Sequence, residues 1–482
     1  MQALDHQFID NRWVASHGTR RLAVMDPYHE RQIAEVTAGD AEDVDAAVDA
    51  ARRALPGWQA LGGERRGAYL NALADALTAR REALMELSAT NNGKALAEAG
   101  IDLDDAIACY RYYARQAGDL EARQGRRITH GIEGVDAHCY EDPAGVIGLI
   151  TPWNFPLVTS AWKIAPALAA GCTVVFKPSE VVPLPEQVLA EIALEIALPP
   201  GVLNLLHGDG DGIGIPLTHH RGIDKLSFTG SNAVGERVMQ AAAEGSRGVS
   251  LELGGKSPIL VLEDAEVEQA ADWAMAGIYF NSGQICSATS RLIVHETLAE
   301  ALYEALATRI DAIRLGDPLG ADTDMGPMTS QRQRDRVRDY LAVAEREGLD
   351  AVRDARHRQL PSQGYFIAPT LYRDVPTDSR LWCEEIFGPV LCARSVASDD
   401  DAIALANDNE FGLAATVISS DPQRAQRVGR ALRAGNIWYN SEQIVMPEAS
   451  WGGFGRSGIG RELGPWGLSA YLEVKHLIGP EG

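Results

Sequence analysis

A chain of 482 residues, 46% hydrophobic and 23% charged, is too long for one core of ordinary size and too well balanced for a disordered or fibrous protein, so two or more globular domains are expected. Lys and Arg number 44 against 67 Asp and Glu, a formal net charge of −23, which argues against nucleic acid or an anionic membrane as partner and leaves a small cationic molecule compatible. The six cysteines, Cys109, Cys139, Cys172, Cys286, Cys383 and Cys392, form no CxxC pair and no Cys/His cluster of metal-ligand spacing, so no metal site and no disulfide framework is expected.

In chain order, the opening MQALDHQFIDNRW carries acidic residues and no apolar run, which reads as a cytoplasmic protein without a secretory signal. Residues 41 to 117 place apolar residues at helical spacing in AEDVDAAVDAARRAL, RRGAYLNALADALTARREALMELSAT and DLDDAIACYRYYARQA, with Asp40 as N-cap of the first. The uncharged stretch Pro143 to Trp162 is punctuated by prolines and Asn154 and reads as buried core instead of a membrane span. From Gly145 to Leu253 apolar runs (GVIGLIT, CTVVFKP, GVLNLLHG, KLSFTGS) alternate with helical ones, an Ala-rich helix from Trp162 and PEQVLAEIALEIA among them. That alternation predicts a parallel sheet covered on both faces. A second alternating block from Ser257 to about Ser450 contains SPILVL, ADWAMAGIYF, RLIVHE, GYFIAPTLY and GLAATVIS, and predicts a second α/β domain. The final YLEVKHL alternates like a strand and could join a sheet edge of another subunit.

Three residues stand out chemically. Cys286, in NSGQICSATSR, follows a helical run, with Ser282 and Gly283 as turn residues able to present a thiol; a single cysteine is ordinarily a small buried hydrophobe, and its setting decides. Glu252, in LELGGKSP, precedes two glycines that permit close backbone approach, as a general base beside a crowded centre requires. Asn154, in TPWNFP between Pro152 and Pro156, carries an amide able to donate to an oxyanion. Gly208, Gly210 and Gly214 in HGDGDGIGIP give Gly-x-Gly-x-x-x-Gly, one residue longer than the usual dinucleotide fingerprint and weak alone. The adjacent His219 and His220 have no third ligand nearby in sequence, so we assign no metal.

Taken in order, the WNFP, FTGS, ELGG, GQxC and EEIFGP segments resemble the aldehyde dehydrogenase superfamily across essentially the whole chain. The resemblance implies a Rossmann-like NAD-binding domain (residues 1–121 and 145–253), an α/β catalytic domain (254–450) and a small β oligomerisation element (122–144 and 465–482) of a homodimer or homotetramer. It implies a thioester on Cys286, an oxyanion held by Asn154 and the Cys286 amide, Glu252 as base for the hydrolytic water, and Lys163 with Glu462 as a proton relay. It further assigns Ile150, Thr151, Pro152, Trp153, Lys177, Glu180, Gly210, Gly214, Phe228, Gly230, Ser231, Leu253, Glu385 and Phe387 to the cofactor. The helix opening at Gly230 and Ser231 would face the pyrophosphate. Glu180 would repel a 2′-phosphate, favouring NAD while Ser179 and Lys177 leave room for NADP.

Within that superfamily the segments around Cys286 and the stretch from Trp451 to Leu477 look most like betaine aldehyde and aminoaldehyde dehydrogenases, which bind a cation. The implied aromatic box is Phe155, Trp162, Phe280 and Trp451, whose ring faces would attract an ammonium. Phe155 and Phe280 stand where Tyr and Trp are frequent. Asp102 and Asp105 match acidic positions at the substrate entrance, and otherwise read as N-terminal charges of a helix. Asn436 stands at a position that tunes pocket size. The expected substrate is betaine aldehyde, with an aminoaldehyde or an aliphatic aldehyde as alternatives.

Overall fold

The computed structural model describes residues 2–354 and 357–481. Its largest sheet has eight strands in the order Gly458–Ile459, Gly248–Glu252, Lys225–Thr229, Val146–Ile150, Thr173–Lys177, Leu203–Leu205, His6–Ile9 and Arg12–Ala15. The five from Gly248–Glu252 to Leu203–Leu205 are parallel. Two of them lie to one side of Val146–Ile150 and two to the other, so the chain reverses its direction of winding between Val146–Ile150 and Lys225–Thr229. A doubly wound sheet opens a crevice at the carboxyl ends of such a pair, and the segments Thr151–Phe155 and Gly230–Ser231 lie there.

A second, seven-stranded sheet runs Asp350–Arg353, Thr370–Arg373, Val390–Val396, Arg291–His295, Pro258–Val261, Ala414–Ile418 and Asn436–Tyr439, parallel except for its first pair. The α/β alternation expected of both blocks is therefore present. The last strand, Leu472–Pro480, pairs antiparallel along all nine residues with Val135–Pro143 of its own chain, leaving its other edge free.

Several element boundaries differ from the sequence reading. The helix expected from Trp162 starts at Pro156 and runs to Ala170, because a proline at the first helical position has its φ preset and lacks only an amide that would be unpaired anyway. The single helix expected over 65–90 is two, Gly63–Ala79 and Arg81–Asn92, broken at Arg80 (φ −103, ψ 12). GYFIAPTLY contributes only its end to the strand Thr370–Arg373; Pro369 cannot donate to a ladder. The glycine-rich turn coils into a π-helix, Gly210–Gly214, that feeds the short helix Ile215–His219. Asp40 caps Ala41–Ala60 as expected, accepting from the Glu42 and Asp43 amides, an arrangement that stabilises by about 1 kcal/mol.

Candidate active site

Cys286 is reached through a distorted turn. The helix Val267–Tyr279 ends at Phe280, and Asn281 (φ 47), Ser282 (φ 54) and Gly283 (φ 73) are all left-handed. Each non-glycine residue in that region costs of order 1–3 kcal/mol, and the surroundings must hold it. They do so with hydrogen bonds: the Asn281 amide donates to Glu98 Oε1 at 2.7 Å, Ser282 Oγ to the Gly326 carbonyl at 2.8 Å, and Gln284 Nε2 to the Asn281 carbonyl at 3.0 Å. A Cβ at Gly283 would fall 2.2 Å from the Gly388 carbonyl oxygen, so both conformation and space require glycine there. Cys286 emerges half-buried. Burial, then the nearby Glu252 and Glu385 carboxylates, push its thiol up to about 12.

Asn154 ends the turn between the strand Val146–Ile150 and the helix Pro156–Ala170. Its Nδ2 donates to the Gln284 carbonyl at 3.0 Å, and Asn281 Nδ2 donates back to the Asn154 carbonyl at 3.1 Å. The exchange locks the amide against the cysteine loop while engaging only one of its two amide hydrogens, which leaves a donor for developing negative charge.

Glu252 ends the strand Gly248–Glu252 and is buried, with Oε2 unpaired. Burial, then the charge of Glu462, raise its carboxyl well above the usual range, against the opposing pull of Lys163 and Arg461. A buried carboxyl raised in this way can hold and release a proton. Behind it Lys163 is fully buried, pairs with Glu462 Oε1 and donates to Ser227 Oγ at 3.1 Å. The wall here is tight, with Gly452 against the Glu252 side chain and Gly435 and Gly458 against main chain. A Cβ at Gly452 would lie 2.8 Å from Glu252 Oε1, one at Gly458 2.1 Å from the Leu251 carbonyl oxygen, and one at Gly435 1.6 Å from the Gly452 carbonyl oxygen.

At the carboxyl ends of the parallel strands, buried Lys177 pairs with half-exposed Glu180 at 3.1 Å. Thr151 Oγ1 donates to buried Glu186 at 2.9 Å, and the Trp153 carbonyl accepts from Asn92 at 2.7 Å, which steadies Ile150, Thr151, Pro152 and Trp153. Ser231 precedes the helix Asn232–Glu244 without capping it by its side chain; the Val234 and Gly235 amides turn back to the Ser231 carbonyl, and the Asn232 and Ala233 amides are the ones an anion at this helix start would take. Gly230 and Leu253 are packed tightly: a Cβ at Gly230 would meet the Phe228 ring at 2.6 Å, and one at Gly235 would meet Leu253 at 2.4 Å. Gly210 and Gly214 bracket the π-helix. Glu385 accepts from the Gly255 amide at 3.0 Å. Phe387 is left-handed (φ 61) and meets Trp153 edge-on at 5.4 Å.

The four aromatics form two groups. Phe155 and Phe280 lie nearly parallel, 6.1 Å apart with an interplanar angle of 8°; Trp162 and Trp451 lie 5.1 Å apart, joined by Trp438 at 6.1 Å from Trp451. Cys286, Phe155 and Trp438 pack against one apolar cluster that includes Trp162 and Trp451. Lys94, fully buried, stands 4.1 Å from the centre of the Phe155 ring and so takes up one of its faces. Asn436 opens the strand Asn436–Tyr439 with its Nδ2 buried and unpaired.

One assignment is corrected. Asp102 is no residue of an open entrance: it is buried, its Oδ2 pairs with Lys94 at 3.3 Å and its Oδ1 accepts from the Val158 amide at 3.1 Å. Nor do Asp102 and Asp105 lie at a helix start, since the helix runs Leu96–Arg123. Asp105 is half-buried, its carboxyl raised to about 7 by burial and by Asp102 and Asp104. The two histidines have separate partners, His219 near Glu244 and His220 near Asp45. Sequence reasoning passed over Glu98, Lys94 and Trp438; none belongs to a motif, and Lys94 and Glu98 fall between two of the segments read as helices.

A doubly wound sheet with Asn154 in the turn beyond its switch-point strand and buried Glu252 at the end of a parallel strand defines the fold of an α/β enzyme. The sequence model of the Aldehyde dehydrogenase family matches residues 13–477, and the chain belongs to that family. It is 43% identical over 475 residues to the chloroplastic betaine aldehyde dehydrogenase of Beta vulgaris, covering 98% of this chain and 95% of the relative. It is 44% identical over 475 residues to a chloroplastic aminoaldehyde dehydrogenase of Arabidopsis thaliana, with the same coverage. Among solved structures, a betaine aldehyde dehydrogenase from Staphylococcus aureus in complex with NAD+ superposes with a TM-score of 0.95 at 38% identity, covering 99% of this chain and 95% of that one. An NAD+ complex of an aldehyde dehydrogenase from Bacillus cereus gives 0.95 at 38%, covering 99% and 96%. Among the described residues no helix is long and apolar enough to cross a membrane.

Proposed function

We propose that this enzyme oxidises betaine aldehyde to glycine betaine, an osmoprotectant, with NAD as electron acceptor. The observation that carries the reading is that Cys286 and Phe155 pack on the apolar cluster holding Trp162 and Trp451, with Phe280 stacked on Phe155: ring faces attract a quaternary ammonium without a tight ion pair. The relatives named for betaine aldehyde and for aminoaldehydes support the same substrate class. Asp105, half-buried beside Asp104 and Asp102, favours a primary ammonium and makes an aminoaldehyde the second reading.

The helix start at Asn232, which no side chain caps, the pair Lys177–Glu180 and the crevice at the winding reversal fit a dinucleotide, and the 2′-side carboxylate of Glu180 favours NAD over NADP. When bound, NAD accepts the hydride released from the substrate carbon. Cys286 attacks that carbon as thiolate; Asn154 Nδ2 and the Cys286 amide hold the oxyanion, each donor contributing about 3 kcal/mol. Collapse leaves a thioester on Cys286. Glu252 takes a proton from the water that hydrolyses it, and Glu462 with Lys163 leads that proton away.

In this reading residues 1–121 with 145–253 hold the cofactor and 254–450 supply the thiol. Residues 122–144 with 465–482 join subunits into a dimer or tetramer; exposed Val474, Leu477 and Ile478 on the free-edged last strand support that. A cytoplasmic setting suits six free cysteines. The test is absorbance at the reduced-nicotinamide band with betaine aldehyde, an aminoaldehyde and an uncharged aldehyde, beside Cys286→Ala. Preference for betaine aldehyde with a dead variant is expected; a clear preference for the uncharged aldehyde would sink the substrate assignment.

A further inference from the structure

The helix Leu96–Arg123 approaches the site without contributing any recognised motif, yet its first turn reaches the nucleophile loop. Glu98 is buried, and both of its oxygens are used: Oε2 accepts from the Ala95 amide at 2.9 Å and Oε1 from the Asn281 amide at 2.7 Å. The first bond is an ordinary helix cap. The second crosses to the first of the three left-handed residues that precede Cys286, and capping does not account for it. Asn281 passes the constraint on, since its Nδ2 donates to the Asn154 carbonyl at 3.1 Å and lies 3.4 Å from the Gln284 carbonyl, which also accepts from Asn154 Nδ2 at 3.0 Å. One helical turn later, Asp102 holds the Val158 amide and Lys94, so the same helix grips the other wall.

We propose that Glu98 is a positioning residue of the reaction: its carboxylate, bridging the Ala95 and Asn281 amides, sets the left-handed turn from which Cys286 and the Asn154 amide are presented. It acts through Asn281 and touches neither aldehyde nor cofactor. The inference rests on Cys286 being the nucleophile. Only an ionised carboxylate accepts fully at both oxygens. Burial lifts the Glu98 carboxyl to about 7 against the pull of the two amides and Lys94, which leaves the ionised form accessible at neutral pH.

Two variants separate positioning from capping. Glu98→Gln keeps the size but turns an NH2 toward one of the two amides. Ala97→Gly, at an exposed position of the same first turn, weakens the start of the helix without touching either bond of Glu98. For wild type and both variants one measures kcat, KM, NAD affinity by tryptophan quenching, melting temperature, and the rate at which iodoacetamide alkylates Cys286 without substrate. Glu98→Gln is expected to lower kcat about 10- to 100-fold, as misplacement of reacting groups does, to change the alkylation rate several-fold, and to leave NAD affinity within about twofold, while Ala97→Gly stays near wild type in kcat and alkylation. A Glu98→Gln enzyme with wild-type kcat and alkylation overturns the proposal, as does an equal loss in both variants. Should the Gln variant melt too low to assay, Glu98→Asp replaces it, its shorter arm failing to span both amides, with the same two outcomes. A wild type that turns over no aldehyde would sink the underlying reading instead.

Discussion

Trp451 and Glu462 face each other across a two-bond antiparallel bridge, the Trp451 amide donating to the Glu462 carbonyl at 2.6 Å and the Glu462 amide to the Trp451 carbonyl at 2.8 Å. The aromatic wall and the partner of Lys163 are thus one rigid piece. Glu462→Gln leaves the Lys163 ammonium buried without a counter-charge, which costs about 3–5 kcal/mol, so a clearly lower melting temperature is expected. The paired replacement Lys163→Met with Glu462→Leu should recover most of that stability without recovering turnover. Stopped-flow absorbance should show the first burst of reduced cofactor preserved and the steady-state rate depressed.

Asn154→Ala removes the amide that would hold the oxyanion. A fall in kcat of about 10²- to 10³-fold is expected, with little change in melting temperature because the variant still leaves Asn281 bonded to the 154 carbonyl. Steady-state assays beside thermal melts check both parts.

Trp451→Ala should raise KM for a trimethylammonium aldehyde by about 2- to 30-fold, the range that about 0.5–2 kcal/mol of cation–π attraction allows. For an uncharged aldehyde of equal length KM should change much less. Equal effects on both would reduce the ring to packing.

The Cys286 thiol is held up by burial first and then by Glu252 and Glu385. Removing a neighbouring negative charge favours the thiolate, so Glu385→Gln should lower the thiol pKa from about 12 and speed alkylation by iodoacetamide at pH 8. An unchanged or slower rate would contradict the electrostatic account.

Buried His207, whose two ring nitrogens lack partners, has its pKa depressed to about 4 by burial and by Lys177. Its unfolded form binds the proton more readily. The stability tied to its neutral state is therefore full above about 6.5 and is lost as pH falls toward 4, an effect of about 3 kcal/mol at about 1.4 kcal/mol per unit. Melting temperature should drop across that window more steeply in wild type than in His207→Gln.

The parallel α/β blocks could be read from the chain because alternating apolar runs are local signals, and Cys286, Glu252 and Asn154 drew notice because each lies in a short turn motif. The strand Gly458–Ile459 could not: two residues of GIG composition carry no periodicity, and it exists because the Gly248–Glu252 edge offers unpaired groups. Asp102 was placed at a substrate entrance by its match to acidic positions of aminoaldehyde-oxidising relatives; its burial depends on Lys94 and Val158, partners that no spacing rule announces. Glu98 escaped notice for the same reason, its second partner being Asn281. Trp438 lies in an edge strand and reaches Trp451 only through the return of the chain.

The glycine seam formed by Gly435, Gly452 and Gly458 presses main chain against main chain on the Glu252 side of the pocket. Such a wall has no side-chain padding to resize, since even a methyl group would force strands apart. Divergence in substrate preference must then proceed through side chains such as Phe155 and Phe280, which stack on each other away from any glycine contact, and libraries seeking new aldehydes would be better spent there than on the seam.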